Sequence, residues 1–476
     1  ASCTVSTGFI TITAPTGMNY SINGTDYTNT DGIFTSVAAG TYQVTFRNAA
    51  GCISSATPVI INPSQLKTWT GTTSTDWNVP TNWSPAGIPT TSDCVVVPDV
   101  ANKPIILTTG VDANANTLQV DANASLTINS LRTLTVVDKI TVAGSGTLTF
   151  EDQSSLVQTT NATNTGAIEY RRISKPMKNF DYTYWSSPVW GDGAVVPKQT
   201  AKNLSPNTFP DKYFRFDGDV LVNDWVFDDG EMTPGVGFII RVPKPGSPAP
   251  DNWSGSTYSQ PVAFKGIPNN GDYTFTAGAG EFNLIGNPYP SAIDADLFIT
   301  NPNNATMING ALYFWTHNTA ITNNEYTADD YASYTLTGGT GTGVGVGNFV
   351  PEWVDANSNQ IVDSGEFTDR NGNGFLDKLP EWVDANNNNV FESGEWNDVN
   401  NNNKLDLPTF EVTSNRPLGK IAAGQSFFVE NSIAGSFQFT NTMRIAGNNS
   451  QFFKQANTKK TATVEKNRVW LNLTNS

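Results

Sequence analysis

Apolar and polar residues alternate in short runs over the first 64 residues of the chain. The clearest runs cover residues 9–12, 20–22, 33–37, 42–46 and 59–61, and Asn-Gly, Asp-Gly or Ala-Gly pairs lie between several of them. Because neighbouring side chains of a strand point to opposite faces, this alternation predicts short strands joined by tight turns. We therefore expect a small Ig-like β-sandwich over residues 1–64.

A second apolar pattern repeats between residues 118 and 156. Apolar pairs begin at 118, 126, 134, 140 and 148, and one further residue follows at 156, so that 140−118, 148−126 and 156−134 all give 22. Three short strands per turn, each with inward-facing apolar side chains, are typical of a right-handed parallel β-helix. The pattern predicts such a domain over residues 65–172. A flat sandwich is the alternative, because few turns show the period.

Three tryptophans, Trp69, Trp77 and Trp83, lie shortly before this repeat. Their rings could form a sugar-stacking surface or cover the open end of the β-helix. Since a solenoid exposes the apolar interior of its first turn unless something covers it, their position favours a Trp-rich cap.

The segment from residue 173 to 456 is rich in aromatic, strand-like runs. Two of them, residues 234–240 and 423–429, share a glycine-marked start although they lie far apart in the chain. One jelly-roll-like β-sandwich over residues 173–456, interrupted by an insertion at 348–408, would explain this likeness. Residues 457–476 read as a linker followed by the start of a further, truncated β domain.

Composition favours an all-β, multidomain chain. The 476 residues include 40 Gly and 27 Pro, and only 15% of them are charged. Residues that favour helices are correspondingly scarce, and the length suits several compact units better than one core.

Charge and residue types exclude several classes of function. The sequence holds 27 Lys and Arg against 43 Asp and Glu, a net charge of −16, so a broad basic face for nucleic acid is not expected. One histidine, His317, leaves little scope for His-based catalysis or a His-rich zinc site. No apolar run is long enough for membrane insertion.

Many of the acidic residues lie in a duplicated segment. Residues 351–357 and 380–386 are two copies of Pro-Glu-Trp-Val-Asp-Ala-Asn, offset by 29, and each is followed by Ser-Gly-Glu and a second Asp/Asn run. Residues 351–407 contain twelve acidic and three basic residues, so they carry −9 of the net −16.

The four Asp/Asn runs match the ligand spacing of calcium-binding loops. Oxygens at alternate positions of a tight loop converge on one point, which suits Ca²⁺ and its six to eight oxygen ligands. The predicted ligands, in chain order, are Asp355, Asn357, Asn359, Ile361, Asp363, Glu366, Asp369, Asn371, Asn373, Phe375, Asp377, Asp384, Asn386, Asn388, Val390, Glu392, Glu395, Asp398, Asn400, Asn402, Lys404 and Asp406. The apolar residues and the lysine in this set would contribute their backbone carbonyls.

The four Asp/Asn runs depart from the EF-hand loop pattern in two ways. Position 6 is glycine only at Gly374, and the second and fourth runs lack an acid at position 12, for which Glu381 or water could substitute. Pro351 and Pro380 leave little room for long flanking helices, and the loops resemble those of dockerins and thrombospondin type 3 repeats. An acidic, Asn-rich disordered linker is the alternative, but a linker would not repeat its residues in register.

The cysteines suggest one disulfide bond. Cys3 and Cys52 bracket almost the whole N-terminal unit, and a bridge between them would stabilise so small a domain in an oxidising compartment. Two free buried thiols are the alternative. Cys94 lies in an apolar run and reads as an inert buried thiol.

Residues 20–24 and 40–46, followed by Gly51-Cys52, closely resemble the SprB repeat, and the resemblance covers residues 1–64. That family occurs in arrays on surface adhesins of gliding bacteria with type IX secretion, and usually has Asp where this chain has Asn48. Residues 69–85 and 283–294 resemble modules of the same secreted class. The resemblance implies an extracellular location on the outer face of the bacterial outer membrane, with the type IX translocon and the surface-attachment machinery as partners.

Together these features predict a non-enzymatic, modular cell-surface adhesin or surface-structure protein with calcium-stiffened loops. It would act in gliding motility or surface attachment, with a polysaccharide or another surface molecule as its ligand. The alternative is a secreted polysaccharide-active enzyme or its carbohydrate-binding module, which the aromatic residues Trp185, Trp190 and Trp253 support. Acid pairs at 217/219, 228/229 and 329/330 could serve a glycosidase, although surface turns explain them more simply, and no catalytic residue is predicted.

Overall fold

A computed structural model describes residues 7–61, 65–177, 180–244, 246, 258–316, 331–340, 348–349, 410–411 and 417–450. Within these ranges most regular elements are strands, and the longest α-helix has six residues. The strands form several separate sheets. The described part of the chain is therefore an all-β, multidomain fold, as the sequence predicted.

The N-terminal unit consists of small antiparallel sheets. Its strands are β1 (Thr7–Thr11), β2 (Asn19–Ser21), β3 (Ile33–Ala38), β4 (Gly40–Arg47) and β5 (Thr57–Ile61). β1 pairs with β3, and β4 pairs with both β2 and β5. The unit buries Ile10, Tyr20 and Val37 but leaves Ile53 and Ile60 exposed, so its apolar core is small.

Residues 66–173 form a parallel β-solenoid of about four turns. Its strands are β6 (Leu66–Trp69), β7 (Trp83–Ser84), β8 (Cys94–Val97), β9 (Ile105–Ile106), β10 (Ala113–Ala115), β11 (Thr117–Val120), β12 (Ser125–Ile128), β13 (Thr133–Val136), β14 (Ile140–Val142), β15 (Thr147–Phe150), β16 (Ser155–Gln158) and β17 (Ile168–Ile173). A short 3₁₀ turn, Pro80–Asn82, precedes β7. Three parallel ladders run along the solenoid: β6-β8-β11-β14, β9-β12-β15-β17 and β10-β13-β16.

The register of these ladders confirms the 22-residue period. Leu118 of β11 lies opposite Ile140 of β14, and Leu126 of β12 lies opposite Leu148 of β15. The third ladder pairs residue 134 with residue 156 in the same way. All of these side chains are buried, because strand alternation turns every second residue into the solenoid. The flat-sandwich alternative is wrong.

The three tryptophans form one buried aromatic cluster at the start of the solenoid. Trp83 packs edge-to-face against Trp69 and Trp77, with ring centroids 5.0 and 4.6 Å apart. All three rings are buried, and Trp69 Nε1 donates a 2.8 Å hydrogen bond to the carbonyl of Asn102. Buried rings cannot stack on a sugar, so these residues do not form a sugar-stacking surface.

The last solenoid strand also belongs to the next region. β17 pairs in parallel with β15 and antiparallel with β23 (Pro261–Pro268). One hydrophobic core runs from the tryptophan cluster through the solenoid to Phe238, Phe264 and Ala423. The predicted boundary at 172/173 therefore falls within a strand and does not separate two cores.

The remaining elements build the sandwich region. Its strands are β18 (Tyr182–Trp185), β19 (Val189–Trp190), β20 (Tyr213–Asp217), β21 (Asp224–Phe227), β22 (Phe238–Arg241), β23, β24 (Tyr273–Ala277), β25 (Phe282–Gly286), β26 (Ala292–Asp294), β27 (Ile308–Trp315), β28 (Tyr331–Thr335), β29 (Gly338–Thr340), β30 (Asn348–Phe349), β31 (Phe410–Glu411), β32 (Lys420–Ile421), β33 (Ser426–Asn431), β34 (Gly435–Phe439) and β35 (Arg444–Ile445). The helices are α1 (Ala201–Leu204), α2 (Ala295–Thr300) and α3 (Pro302–Ala305), and Asn441–Met443 is a 3₁₀ turn.

Two sheets dominate this region. One has the order β18-β22-β20-β21, and the other has the order β25-β33-β27-β28-β29. A second buried core, centred on Phe298, Phe427 and Phe439, covers one face of the five-stranded sheet. The similar segments 234–240 and 423–429 contribute β22 and β33, one to each sheet.

Candidate functional site

The predicted calcium ligands, from Asp355 to Asp406, lie outside the described residues, as do His317, Trp253 and the acid pair at 329/330. In the part of the chain that the structure describes, no group of three or more His, Cys, Asp or Glu side chains is placed to hold a metal ion. What the structure does describe is the place where the insertion leaves the fold and returns to it.

The two ends of the insertion are paired with each other. β30 and β31 form an antiparallel ladder in which Asn348 lies opposite Glu411 and Phe349 lies opposite Phe410. The predicted insertion limits, 348–408, agree with this pair to within a few residues. The chain therefore leaves and re-enters the sandwich region at neighbouring points, and the intervening segment is an insertion.

Tyr334 and Lys420 flank the insertion in sequence, and with Asp294 and Asp296 they form a polar cluster that we call the insertion root. The Lys420 ammonium pairs with the Asp294 carboxylate, and the Tyr334 hydroxyl donates a 2.8 Å hydrogen bond to Asp296 Oδ1. Gly419 lies directly against the Tyr334 hydroxyl with φ +74°, so a side chain there would be strained and would clash. The root is thus a close-packed, charged corner.

The pKa values of the root follow from its contacts. Partial burial of Asp294 raises its pKa, but hydrogen bonds from Lys420 and from the amides of Leu297 and Asp296 outweigh burial, and the net pKa is lowered. Burial and the hydrogen bond to Asp296 raise the pKa of Tyr334 to about 12. Both groups therefore keep their ordinary charges at neutral pH: Asp294 is ionised and Tyr334 is neutral.

The tryptophans that supported the carbohydrate-active alternative do not form one exposed surface. Trp185 is fully buried, and its ring packs on Phe264 with centroids 5.9 Å apart. Trp190 is 37% exposed. Trp185 thus belongs to the core between the solenoid and the sandwich region and offers no face to a sugar.

The acid pairs lie in ion pairs and turns. Arg215 contacts both Asp217 and Asp228, with nitrogen–oxygen distances of 3.5 Å each. Asp229 lies 3.7 Å from the Lys202 ammonium, and Asp219 accepts a hydrogen bond from a nearby backbone amide in the β20–β21 turn. These contacts are those expected of surface acids in turns.

A third apolar cluster, which the sequence did not predict as a unit, lies between the two large sheets. Tyr184 stacks on Trp315 with ring centroids 5.6 Å apart and planes 4° from parallel, and its hydroxyl lies 2.6 Å from that of Tyr331. Phe428 and Trp225 extend the cluster, with centroids 5.8 Å apart. Strand alternation could have indicated it, because these residues face away from the main cores.

The motif at residues 283–294 joins the sandwich region to the solenoid. Asn287 is fully buried, and its Nδ2 donates to three backbone carbonyls at 2.8 to 3.1 Å. The Pro290 carbonyl accepts a 2.7 Å hydrogen bond from the amide of Leu156, which lies in the last full solenoid turn. The motif is therefore a structural junction in this chain.

Arg444 completes that junction. Its guanidinium donates to the Leu156 carbonyl at 2.6 Å and to the side-chain oxygens of Asn270 and Asn441 at 2.9 and 3.1 Å. It also lies over the Tyr289 ring, 4.9 Å from the centroid. Burial lowers the pKa of Arg444 to about 10, so the side chain remains charged at neutral pH.

A second buried polar group ties the same regions together. The Asn449 side chain donates to the Ser154 carbonyl at 2.6 Å and accepts from the Ala423 amide at 2.9 Å. Arg172 donates to the Asn449 carbonyl at 2.8 Å and contacts Asp152 at 3.3 Å. The hydrogen bonds from Asn449 to Ser154 and from Arg172 to Asn449 join residues 295 and 277 positions apart, and so they link the solenoid to the sandwich region.

The cysteine predictions need correction. Cys52 is a free, exposed cysteine, so the predicted Cys3–Cys52 bridge is not formed, and Cys3 lies outside the described residues. Bracketing a unit in sequence does not bring two sulfurs within bonding distance in space. Cys52 lies in an exposed turn, where its amide donates a 2.9 Å hydrogen bond to Asn48 Oδ1. Cys94 is buried in β8 as expected, but it is not a free thiol.

A family model described as a domain of unknown function (DUF8693) matches residues 68–476. The chain belongs to this family. No curated protein and no solved structure is significantly similar to it. The DUF8693 match begins inside β6, the first solenoid strand, and continues through the sandwich region. Its start agrees with the structural division between the N-terminal unit and the shared core.

The helices described between residues 201 and 305 have at most six residues, so none of them could span a lipid bilayer.

Proposed function

We propose that this chain is a non-enzymatic, calcium-stiffened module of a cell-surface adhesin or surface-structure protein. In this proposal the DUF8693 region is a rigid spacer, and the insertion between β30 and β31 is a calcium-binding arm. The observation that carries the proposal is the duplicated ligand pattern of residues 351–407, which recurs at an offset of 29.

The paired ends of the insertion support this role. Because Asn348 and Phe349 pair with residues 410–411, the ends of the arm are held together before any ion binds. Holding the ends of a loop together lowers the entropy lost when the loop orders. Metal binding and folding of the arm would then be one event, anchored on a preformed base.

The charge of the arm supports calcium in particular. The segment carries −9, and four Ca²⁺ ions would add +8, which leaves it nearly neutral. Oxygen-only ligand sets suit a hard cation, and sites outside a cell need dissociation constants of only about 10⁻⁴ to 10⁻³ M. The expected effect of the ion is therefore rigidity.

Export by type IX secretion, a place on the outer face of the outer membrane and a role in gliding or attachment rest on the sequence resemblance of residues 1–64, 69–85 and 283–294. The partners would be the translocon and the surface-attachment machinery. The carbohydrate-active alternative loses part of its support, because Trp185 is buried in the core.

Limited proteolysis in calcium and in EDTA tests the proposal. We expect cleavage between residues 350 and 409 to become much faster in EDTA, while the solenoid and sandwich fragments stay intact. A variant with Asp355→Asn and Asp384→Asn should be cut in calcium as the wild type is cut in EDTA. Equal protection of this segment with and without calcium would reject the proposal. Asp99→Asn, at an exposed ion pair of the solenoid, is the matched control.

A further inference from the structure

A cleft of about 690 Å³ separates the N-terminal unit from the side of the solenoid. One wall comes from β1, β3 and β5, and the other comes from the turns before β8 and after β10, β13 and β16. Its volume lies within the range of small-molecule binding sites.

The wall on the N-terminal unit contains large apolar side chains beside Thr7, Thr35 and Ser36. Phe9, Ile33 and Ile60 line it and are 72%, 47% and 64% exposed, which is unusual for three large apolar side chains on one small unit. The backbone at Phe9 is also irregular. Between Gly8 and Ile10 the β1–β3 register shifts by one residue, and Ser36, on the opposite strand, has φ +56°. Such bulges redirect side chains and are common beside binding sites.

The wall on the solenoid is hydrogen-bonding and uncharged except for one acid. Thr91, Asp138 and Thr160 are among its residues, and the Thr160 hydroxyl donates to Asp138 Oδ1 at 3.1 Å. Among the described residues that line the cleft, none is Lys, Arg or His. An anionic ligand would therefore meet no compensating charge and would face a carboxylate.

We propose that this cleft binds a neutral oligosaccharide. A sugar ring has an apolar face of C–H groups and an edge of hydroxyls, so it would place the first on Phe9 and the second against Asp138 and the solenoid hydroxyls. An apolar peptide is the poorer fit, because its side chains would cover these hydroxyls without offering them hydrogen-bond partners. The inference rests on the proposed adhesin function and gives its ligand a class and a site, but it does not rest on the calcium arm.

Calorimetric titration of the full chain with three neutral hexasaccharides, built from glucose, mannose and N-acetylglucosamine, tests the proposal. We expect at least one to bind, with hexagalacturonate binding more weakly or not at all. Phe9→Ala should weaken that binding about tenfold, because the ring would supply the main apolar contact. Asp138→Asn should also weaken it. Both positions lie away from the buried cores, so these variants are expected to fold.

Matched controls are Ile53→Ala, an exposed apolar residue of the same unit outside the cleft, and Asp99→Asn. Both should bind like the wild type. Absence of binding by every neutral probe, unchanged binding in both cleft variants, or tight binding of an apolar hexapeptide in place of the sugars would each overturn the proposal. The titration is repeated in EDTA. Because the lining residues are not calcium ligands, sugar binding should persist there even if the calcium proposal fails.

Discussion

The solenoid and the N-terminal unit are both built from short strands, but they bury their apolar residues to different degrees. In the solenoid, inward residues such as Leu126 and Leu148 are buried turn after turn and belong to one continuous core. In the N-terminal unit Ile10 and Val37 are buried, whereas Phe9 remains exposed. None of the three core clusters of the described chain contains a residue of 7–61.

The solenoid can enlarge its core by adding turns, whereas the N-terminal unit cannot. Stacked turns let every inward side chain contact the turn above and the turn below, and the sandwich region then closes one end of the stack. A unit of fewer than 65 residues has more surface for its volume and cannot bury all of its apolar side chains. We therefore expect the two regions to unfold separately, the N-terminal unit first.

The largest expected loss comes from emptying the solenoid core. Leu126→Ala should lower the free energy of unfolding by about 3–5 kcal/mol, because it removes a fully buried side chain from closely packed ladders. Calorimetry should show the later transition moving to lower temperature while the earlier one stays in place. Leu66→Ala, at a 58% exposed position of the same solenoid, should change stability by less than about 0.5 kcal/mol.

Replacing Arg444, the buried cation of the junction, should have a similar effect on the later unfolding transition. Arg444→Met would leave the Leu156 carbonyl and two asparagine oxygens without this donor, at a cost of about 3 kcal/mol. Because the junction joins solenoid and sandwich, both should still melt together at a lower temperature. Arg171→Met, at an exposed arginine, should leave the free energy of unfolding almost unchanged. If both variants lost the same stability, the junction would make no specific contribution.

A buried residue of the N-terminal unit should affect only the first transition. Ile10→Ala is expected to cost about 2 kcal/mol, at the low end for such a substitution, because the surrounding core is small. The solenoid transition should not move. Ile33→Ala, on the exposed face of the same unit, is the control and should leave both transitions in place. A shift of the solenoid transition in Ile10→Ala would show that the two regions share a core.

The smallest expected effect is on acid stability at the insertion root. The folded pKa of Asp294 is lowered, so its contribution to stability is present above the unfolded pKa and is lost as pH falls through the folded pKa. Asp294→Asn should therefore flatten the fall in stability below about pH 4, the ordinary value of an aspartate. Urea titrations at several pH values would measure this. An unchanged acid profile would contradict the assigned role of the Lys420–Asp294 pair.

The sequence could predict the features that depend on local spacing. Strand alternation and the 22-residue offset identified Leu118, Leu126 and Leu134 as inward-facing, and the ladder register agrees with each pairing. The insertion limits followed from a local duplication. The junction could not be found in this way. Arg444 and Leu156 are far apart in sequence, and a single hydrogen bond between them produces no repeating sequence pattern.

The cysteine pairing failed for a related reason. Cys3 and Cys52 bracket the N-terminal unit in sequence, but the geometry of a pair depends on where the turns place it in space. Cys52 is exposed and free, in a turn that Asn48 closes by accepting a hydrogen bond from the Cys52 amide. Likewise, the cleft requires residues of β1 and of the solenoid turns to face each other, which no motif in either segment indicates.

The most direct test of the calcium proposal is native mass spectrometry of the full chain. After dialysis against millimolar calcium we expect up to four Ca²⁺ ions per chain, fewer in the variant with Asp355→Asn and Asp384→Asn, and none in EDTA. A chain that carries no calcium at millimolar concentration, or a variant that carries as many ions as the wild type, would contradict the account.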